Sequence, residues 1–408
     1  MTASDAAPPD GAASDRALGL IVRVESARIV AALTSSLGNL DLAEEAVADA
    51  VAEALVQWRR DGVPPNPGAW LTTAARHNAL DRLRREKRYR QKLELVAEMR
   101  PPAASEVDER LPLLFGCCHP ALTPSAQLAL TLRAVCGLTT EQIARATLSS
   151  PVATGQRIVR AKRKIGAAGI PLRVPTGAER APRLDLVLTV VSVMYNEAHL
   201  VPERDARADR DIADDALWLA EVIADALPGE AEAHGLVALL SFHRSRESAR
   251  SLGGELVLLA DQDRTRWDSR LQARAHRALE RAAALKRPGR WQLQAAIAAC
   301  HADASRMEDT DWRQIVVLYD MLLGFDASPV VRLNRAVALA ETGEATRALA
   351  EVDALQDPLD GFHLWHAVRA DLLRRVGRET DAAVADERAR ALTRNDAERR
   401  LLAARGTL

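Results

Sequence analysis

The sequence predicts an all-α protein, two small helical domains followed by a helical-repeat array, on three observations. Alanine, leucine, arginine and glutamate dominate the 408 residues, and apolar residues recur with a 3.6-residue period almost throughout, while β-branched alternation is scarce. A helix-turn-helix pattern lies at 139–165. A 34-residue repeat lies near the C-terminus, where RAVALAETGEATRALAEV around Gly343 aligns with RADLLRRVGRETDAAVAD around Gly377.

Residues 1–14 are acidic and polar and read as a disordered tail. The first helical domain spans 15–92. In it LDLAEEAVADAVAEALVQW predicts a helix from Asp41 to Trp58, capped by Asp41 with Glu44 completing a box-like pattern. Val47, Val51, Ala54, Leu55 and Trp58 form its expected buried stripe, and Glu45, Asp49 and Glu53 fall on one ridge at i, i+4 and i+8. Like charges at that spacing disfavour an isolated helix, so the ridge reads either as a solvated face or as a docking surface for a basic partner. The prolines of DGVPPNPGA at 61–69 interrupt the helix. The next one, AWLTTAARHNALDRLRREKRYR, opens at Trp70 and becomes basic through Arg76, Arg82, Arg84, Arg85, Lys87, Arg88 and Arg90. That composition suits a nucleic-acid backbone, with Trp70, His77 and Asn78 beside the proline loop, where unstacked bases would fit.

A linker at 93–109 leads to the second domain, 110–167. Thr139 and Gln142 predict a capping box before EQIARAT, and Ser150 with Pro151 supplies an N-cap and first-turn proline for PVATGQRIVRAKRKI. Pro151, Thr154, Ile158, Ala161 and Ile165 recur on the expected core face, while Gln156, Arg157, Arg160, Arg163 and Lys164 point away. An exposed Arg/Gln face on the second helix of such a motif suits base edges in the major groove, with its later cations on phosphates.

A second linker, 168–184, reads as extended around Pro171 and Pro175, and the remainder, 185–408, as helices. The repeat pairs Ala336 with Ala370, Gly343 with Gly377 and Ala348 with Ala382, which is the tetratricopeptide spacing. Degenerate copies are expected upstream, around LVALLSFHRSRESAR and DWRQIVVLYDMLL.

The net charge of -1 hides an asymmetry: residues 1–178 hold 23 basic and 18 acidic side chains, so the rest carries the acidic excess. The basic excess is concentrated at 76–100 and 157–164, which suggests two points of contact with one polyanion. Cys117, Cys118, Cys136 and Cys300 show neither a disulfide framework nor paired CxxC spacing, so buried apolar cysteine is favoured over a metal site at Cys117-Cys118-His119. No signal peptide or membrane-spanning run is apparent, which predicts a cytoplasmic protein without membrane contact. GxxxxGK, HExxH, nucleophile-elbow and zinc-deaminase patterns are absent, so the expectation is a non-catalytic protein without cofactor or metal.

The order of acidic helix, proline loop, Trp-led basic helix, linker and helix-turn-helix resembles the extracytoplasmic-function sigma factors of bacterial RNA polymerase over residues 15–167. LAEEAVADAVAEAL looks like the region-two helix that binds the β′ clamp, which would assign Asp41, Glu44, Glu45, Asp49 and Glu53 to polymerase. AWLTTAARHNALDRLRRE looks like the part that melts and reads the minus-ten element, implicating Trp70, Arg76, His77, Asn78, Arg82, Arg84, Arg85 and Arg88. His77 stands where the usual WLxxxAxN pattern has asparagine, which bears on the minus-ten base preference. LTTEQIARATLSSPVATGQRIVRAKRKI looks like the region-four reader of the minus-thirty-five element, through Ala153, Gln156, Arg157, Arg160, Arg163 and Lys164.

The rest resembles a subgroup with a tetratricopeptide-like C-terminal extension, through VMYNEAHL, LLADQDRTRWD, QLQAAIAACHA, DTDWRQIVVLYD and SPVVRLNRAVALAE. The subgroup's DxxR element is matched by Asp261 and Arg264, a regulatory pair by resemblance and a surface salt bridge on physical grounds alone. The resemblance implies as partners core RNA polymerase (β and β′ subunits), promoter DNA, and a protein or small-molecule ligand of the extension. The competing reading is a dimeric helix-turn-helix regulator whose helical domain binds a ligand, which would bind paired half-sites without polymerase. A repeat adaptor that binds proteins alone leaves both basic patches unexplained.

Overall fold

The computed structural model describes residues 25–85, 110–199 and 212–405, apart from Ala27, Ser35, Leu148, Gly253, Gly254 and Arg394. The expected tail at 1–14 and the linker at 93–109 lie outside them. The fold is all-α, and the chain divides into two compact units, 1–193 and 194–408.

In the first unit, α1 (25–37) buries Ile29, Val30, Leu33 and Leu37, and α2 (Leu40–Asp61) packs on α3 (Pro67–Arg85). Helix α2 begins one residue earlier than its sequence pattern suggests, because Asn39 is the cap: its Oδ1 accepts the Leu42 N–H at 3.2 Å. Asp41 is therefore a first-turn residue and Glu44 completes no box. The buried stripe is Leu40, Ala43, Ala46, Val47, Ala50, Ala54 and Trp58, so alanines make up most of it. Val51 is only half-buried, and Leu55 is 36% exposed beside Val56 at 74%, because the stripe turns away from them. Helix α3 starts at Pro67, inside the expected loop, since Asn66 accepts the Ala69 N–H at 3.0 Å and proline at the first turn sacrifices no hydrogen bond.

Helices α4 (Arg110–Cys117), α5 (Pro124–Ala134), α6 (Thr140–Ala146) and α7 (Pro151–Ala167) enclose a second core of Leu113, Leu114, Phe115, Leu130, Leu132, Ile143, Ile158 and Ala161. The expected linker is short. Leu172 lies on Gly116, where a Cβ would come within 2.0 Å of its Cδ2, and α8 (Arg180–His199) already begins at residue 180. Arg183 of α8 donates to the Phe115 carbonyl. The first half of α8 thus belongs to the first unit.

In the second unit α9 (Ile212–Ala226), α10 (Ala231–Ser245), α11 (Ser269–Ala284), α12 (Arg290–Asp303), α13 (Trp312–Leu322), α14 (Pro329–Glu341), α15 (Ala345–Asp353), α16 (Gln356–Leu359), α17 (His363–Arg375), α18 (Glu379–Leu392) and α19 (Asp396–Arg405) pack mostly on their sequence neighbours. Helices α10 and α12 approach closely at Gly235, where a Cβ would lie 2.7 Å from the Gln292 nitrogen. Glu232 caps α12, accepting the N–H groups of Trp291 at 2.8 Å and Gln292 at 3.2 Å. Arg335 ties three successive helices, reaching Asp320 at 2.6 Å and Glu351 at 2.8 Å.

The 34-residue offset corresponds to two helical hairpins, α14–α15 and α17–α18. Gly343 and Gly377 turn between their helices with φ of 94° and 77°, a region that costs residues with a Cβ about 1–2 kcal/mol. The matched alanines 336, 370, 348 and 382 are all 0% exposed, where a larger side chain would separate the helices. Upstream the pattern does not continue. Helices α10 and α13 are separated by 3-10 turns, two further helices and an antiparallel β-hairpin, β1 (Ser251–Leu252) and β2 (Glu255–Leu256), absent from the sequence expectation. Helix α19 reaches back to this hairpin, Arg400 meeting Glu255 at 2.8 Å. No helix among the described residues is long and apolar enough to cross a membrane.

Candidate nucleic-acid and polymerase interface

The helix-turn-helix forms as its caps dictate. Thr139 and Gln142 exchange both capping-box bonds, the Gln142 N–H to Thr139 Oγ1 at 3.2 Å and the Thr139 N–H to Gln142 Oε1 at 2.8 Å. Ser150 accepts the Ala153 N–H at 3.2 Å to open α7. Thr154, Ile158, Ala161 and Ile165 are buried as the periodicity demands, but Pro151, at the first position of α7, is exposed. Ala153, Gln156, Arg160, Arg163 and Lys164 are exposed and Arg157 half-exposed, so one face of α7 offers an amide and four cations to a partner.

The acidic ridge of α2 forms as well, but it is engaged. Arg82 of α3 pairs with Glu45 and, at 2.8 Å, with Asp49, and the Asn78 amide donates to Glu53 at 3.0 Å. These residues stay largely exposed, so each pair contributes about 0.2–1 kcal/mol. One α3 face therefore joins residues assigned from sequence to two different partners. Trp70 is half-buried, its ring edge-on to Trp58 at 5.5 Å between centroids, while His77 and Arg84 face solvent and Arg76 is half-buried. Arg88 and the Arg85 side chain lie outside the described residues.

Lys162, absent from the sequence-derived set, makes the most enclosed ion pair among the described residues of this unit. Its ammonium reaches Glu44 at 2.6 Å and Asp41 at 2.8 Å, and the Lys162 and Glu44 side chains are only 12% and 13% exposed. Burial disfavours the charged ammonium, yet the carboxylates outweigh it and raise its pKa above the ordinary lysine value. The helix that carries the exposed cations is thereby bound to the first turn of the acidic helix. The signal was legible: Lys162 stands at Ile158+4 and Ile165−3, a cation inside an apolar stripe.

Cys117 and Cys118 are fully buried at the end of α4, and burial pushes the Cys118 thiol up to about 12, beside Thr131 Oγ1 at 3.6 Å. His119 Nδ1 accepts the Ala121 N–H at 3.1 Å, a turn bond. In the second unit Arg264 forms no ion pair with Asp261. It donates instead to the His301 carbonyl and, at 2.6 Å, to that of Ala304, satisfying the C-terminal carbonyls of α12, while Asp261 is exposed.

Comparison with known proteins agrees with this geometry. Residues 21–89 match sigma-70 region 2, and residues 113–165 match sigma-70 region 4. Residues 183–283 match a family of unknown function, DUF6596. An uncharacterised protein of Rhizobium meliloti (strain 1021) is 41% identical over 379 residues, covering 90% of each chain. No solved structure matches. The chain belongs to the family of that Rhizobium protein, and its own sigma-70 region 2 and region 4 domains, of the extracytoplasmic-function type, are followed by a helical C-terminal part. The two sigma-70 domains imply association with core RNA polymerase and promoter DNA, and do not favour the dimeric-regulator reading.

Proposed function

We propose that this protein is a promoter-specificity subunit in which α2 docks on the β′ clamp, α3 holds the unpaired minus-ten strand, and α7 reads the minus-thirty-five element. The observation that carries this reading is the doubly capped helix-turn-helix with its exposed Gln156, Arg157, Arg160, Arg163 and Lys164 face, in one unit with a ridge of Glu45, Asp49 and Glu53. The polymerase supplies the nucleotidyl chemistry. In the form described, the acids of α2 are satisfied by Lys162, Arg82 and Asn78, so docking exchanges these internal partners for basic groups on the polymerase. The unit thus has a closed form and an open, docking form. Charge reversal of Glu45, Asp49 and Glu53 abolishes holoenzyme assembly in size-exclusion chromatography. Normal assembly by the triple variant refutes the docking role.

The C-terminal domain, a tetratricopeptide-like array, acts positively on transcription. Its acidic excess is spread over many helices and screened beyond about 8 Å at physiological salt, too weak for an electrostatic mask of the basic patches. Truncation after Arg173 would remove the α8 residues Leu184, Val187 and Leu188, which are buried in the first unit, so the informative cut follows His199. Run-off transcription by that truncated protein falls below the full-length level at matched concentration. Equal or greater output refutes the positive role.

A further inference from the structure

We propose that the C-terminal domain binds a small ligand bearing an oxyanion, a carboxylate or a phosphate, between Arg246 and Arg250 beside the rings of Trp267 and His301. The inference is independent of the sigma-factor reading.

Arg246 follows α10 directly, and a single 3-10 turn, Glu247–Ala249, separates it from Arg250, whose charge acts on it. Both side chains are half-buried. The Arg246 guanidinium lies 5.1 Å from the Trp267 ring centroid, and Arg264 lies at the same distance from that ring. Three arginines thus converge on one site with no carboxylate paired to Arg246 or Arg250 among the described residues.

The three are not equivalent. Arg264 is committed to the His301 and Ala304 carbonyls and to Met307 Sδ at 3.7 Å, a structural arrangement. Arg246 makes one long bond, Nε to Gln262 Oε1 at 3.4 Å, and the Gln262 amide nitrogen is itself committed to the Val257 carbonyl at 3.1 Å. Arg250 makes no side-chain hydrogen bond to a described residue. Two buried ring nitrogens in the same region, Trp267 Nε1 and His301 Nδ1, also lack partners. Burial, then the Arg246 and Arg264 charges, push the His301 pKa down to about 4, so the ring is neutral at physiological pH. Burial and the neighbouring Arg250 and Arg264 lower the Arg246 pKa to about 10, which leaves it charged.

Glu308 and Asp309 offset the charge of Arg264 alone. Like charges gathered at Arg246 and Arg250 in a partly desolvated site without a paired carboxylate cost a fold stability, which points to a function that requires them. Arginine suits an oxyanion because its planar fork gives two parallel charge-assisted hydrogen bonds to carboxylate or phosphate. The enclosure favours a small anion over a duplex backbone, which needs an open face.

The test is thermal unfolding and isothermal titration calorimetry of the full-length protein with inorganic phosphate or citrate, against potassium chloride at equal ionic strength. At least one probe binds saturably and raises Tm, still rising as its concentration goes from Kd toward about a hundred times Kd. The arm that saturates identifies the ligand as phosphate or carboxylate. Arg246→Gln and Arg250→Gln each weaken binding about tenfold or more, as loss of a charge-assisted fork requires. Without ligand both variants are at least as stable as the parent, because each relieves like-charge repulsion. The proposal is overturned if neither probe exceeds chloride, if the variants bind as the parent does, or if either variant lowers the ligand-free Tm by several degrees, which would reveal a carboxylate of the chain itself as the counter-ion.

Discussion

Replacing Lys162 with methionine releases α7 from α2 and strengthens polymerase binding. In the closed form methionine retains the aliphatic packing of lysine but leaves Glu44, 13% exposed, enclosed without its cation. Removing one partner of a fully buried pair costs about 3–5 kcal/mol. Here the cost is reduced because opening rehydrates Glu44 and because Asp41, 61% exposed, contributes little, so about 2 kcal/mol is expected. That multiplies the open-to-closed ratio about 30-fold, and where the closed form predominates the apparent Kd for core polymerase falls by up to the same factor. The assay pairs fluorophores on cysteines introduced at Val56 and Val152, 74% and 70% exposed, since Cys117, Cys118 and Cys136 are buried and Cys300 is half-buried. In Lys162→Met the labels move apart and affinity rises, whereas Lys162→Arg resembles the parent. The latch is insensitive to pH between 6 and 9: the raised lysine pKa leaves its contribution intact below the ordinary 10.5, and it is lost only as pH rises through the higher folded value. Unchanged label separation and core affinity in Lys162→Met, with helicity preserved, would refute the reasoning.

Gln156→Ala and Arg157→Ala relax minus-thirty-five selectivity in a promoter library, while Lys164→Ala weakens binding to all promoters alike and reduces its salt dependence; unchanged preferences in the first two would place the reading face elsewhere. Arg264→Ala lowers the unfolding temperature of the C-terminal domain by uncapping α12, at about 1–3 kcal/mol, and Asp261→Ala has no such effect; equal effects would restore the pair as a unit. His301 adds a pH term of known sign. Its folded pKa of about 4 lies below the ordinary 6.5, so its contribution is complete above pH 6.5 and lost as pH falls toward 4, on the order of 3 kcal/mol. Denaturant titrations of parent and His301→Gln between pH 4 and 7 should converge toward the acid end, and parallel curves would contradict the assignment.

Sequence and structure diverge where side chains serve partners far along the chain. The caps at Thr139, Gln142 and Ser150 and the alanine pairs of the repeat were legible because their partners lie within a turn or recur at a fixed offset. Asn39 was missed because Asp41 is an equally good cap by composition, two residues on. Arg82 and Asn78 read as nucleic-acid residues, since no local pattern reveals that the opposing helix supplies their carboxylates 25 to 37 residues away. Asp261 and Arg264 fit a helical ion-pair spacing, but the segment forms 3-10 turns, which send Arg264 toward α12. The β-hairpin has two-residue strands, too short for alternation to show.

The contact of α19 with the hairpin changes how the C-terminal domain should come apart. A linear stack of helical repeats frays from its termini, each repeat held by one neighbour at the end of the row. Here the final helix is fastened by Arg400 to Glu255, 145 residues earlier, so the tail of the row has a second attachment. Peeling from the C-terminus must first break that tie, and the loss of α19 is felt at a hairpin that directly follows Arg246 and Arg250. Disturbance at the last helix would then reach the arginine cluster without passing through the repeats between them.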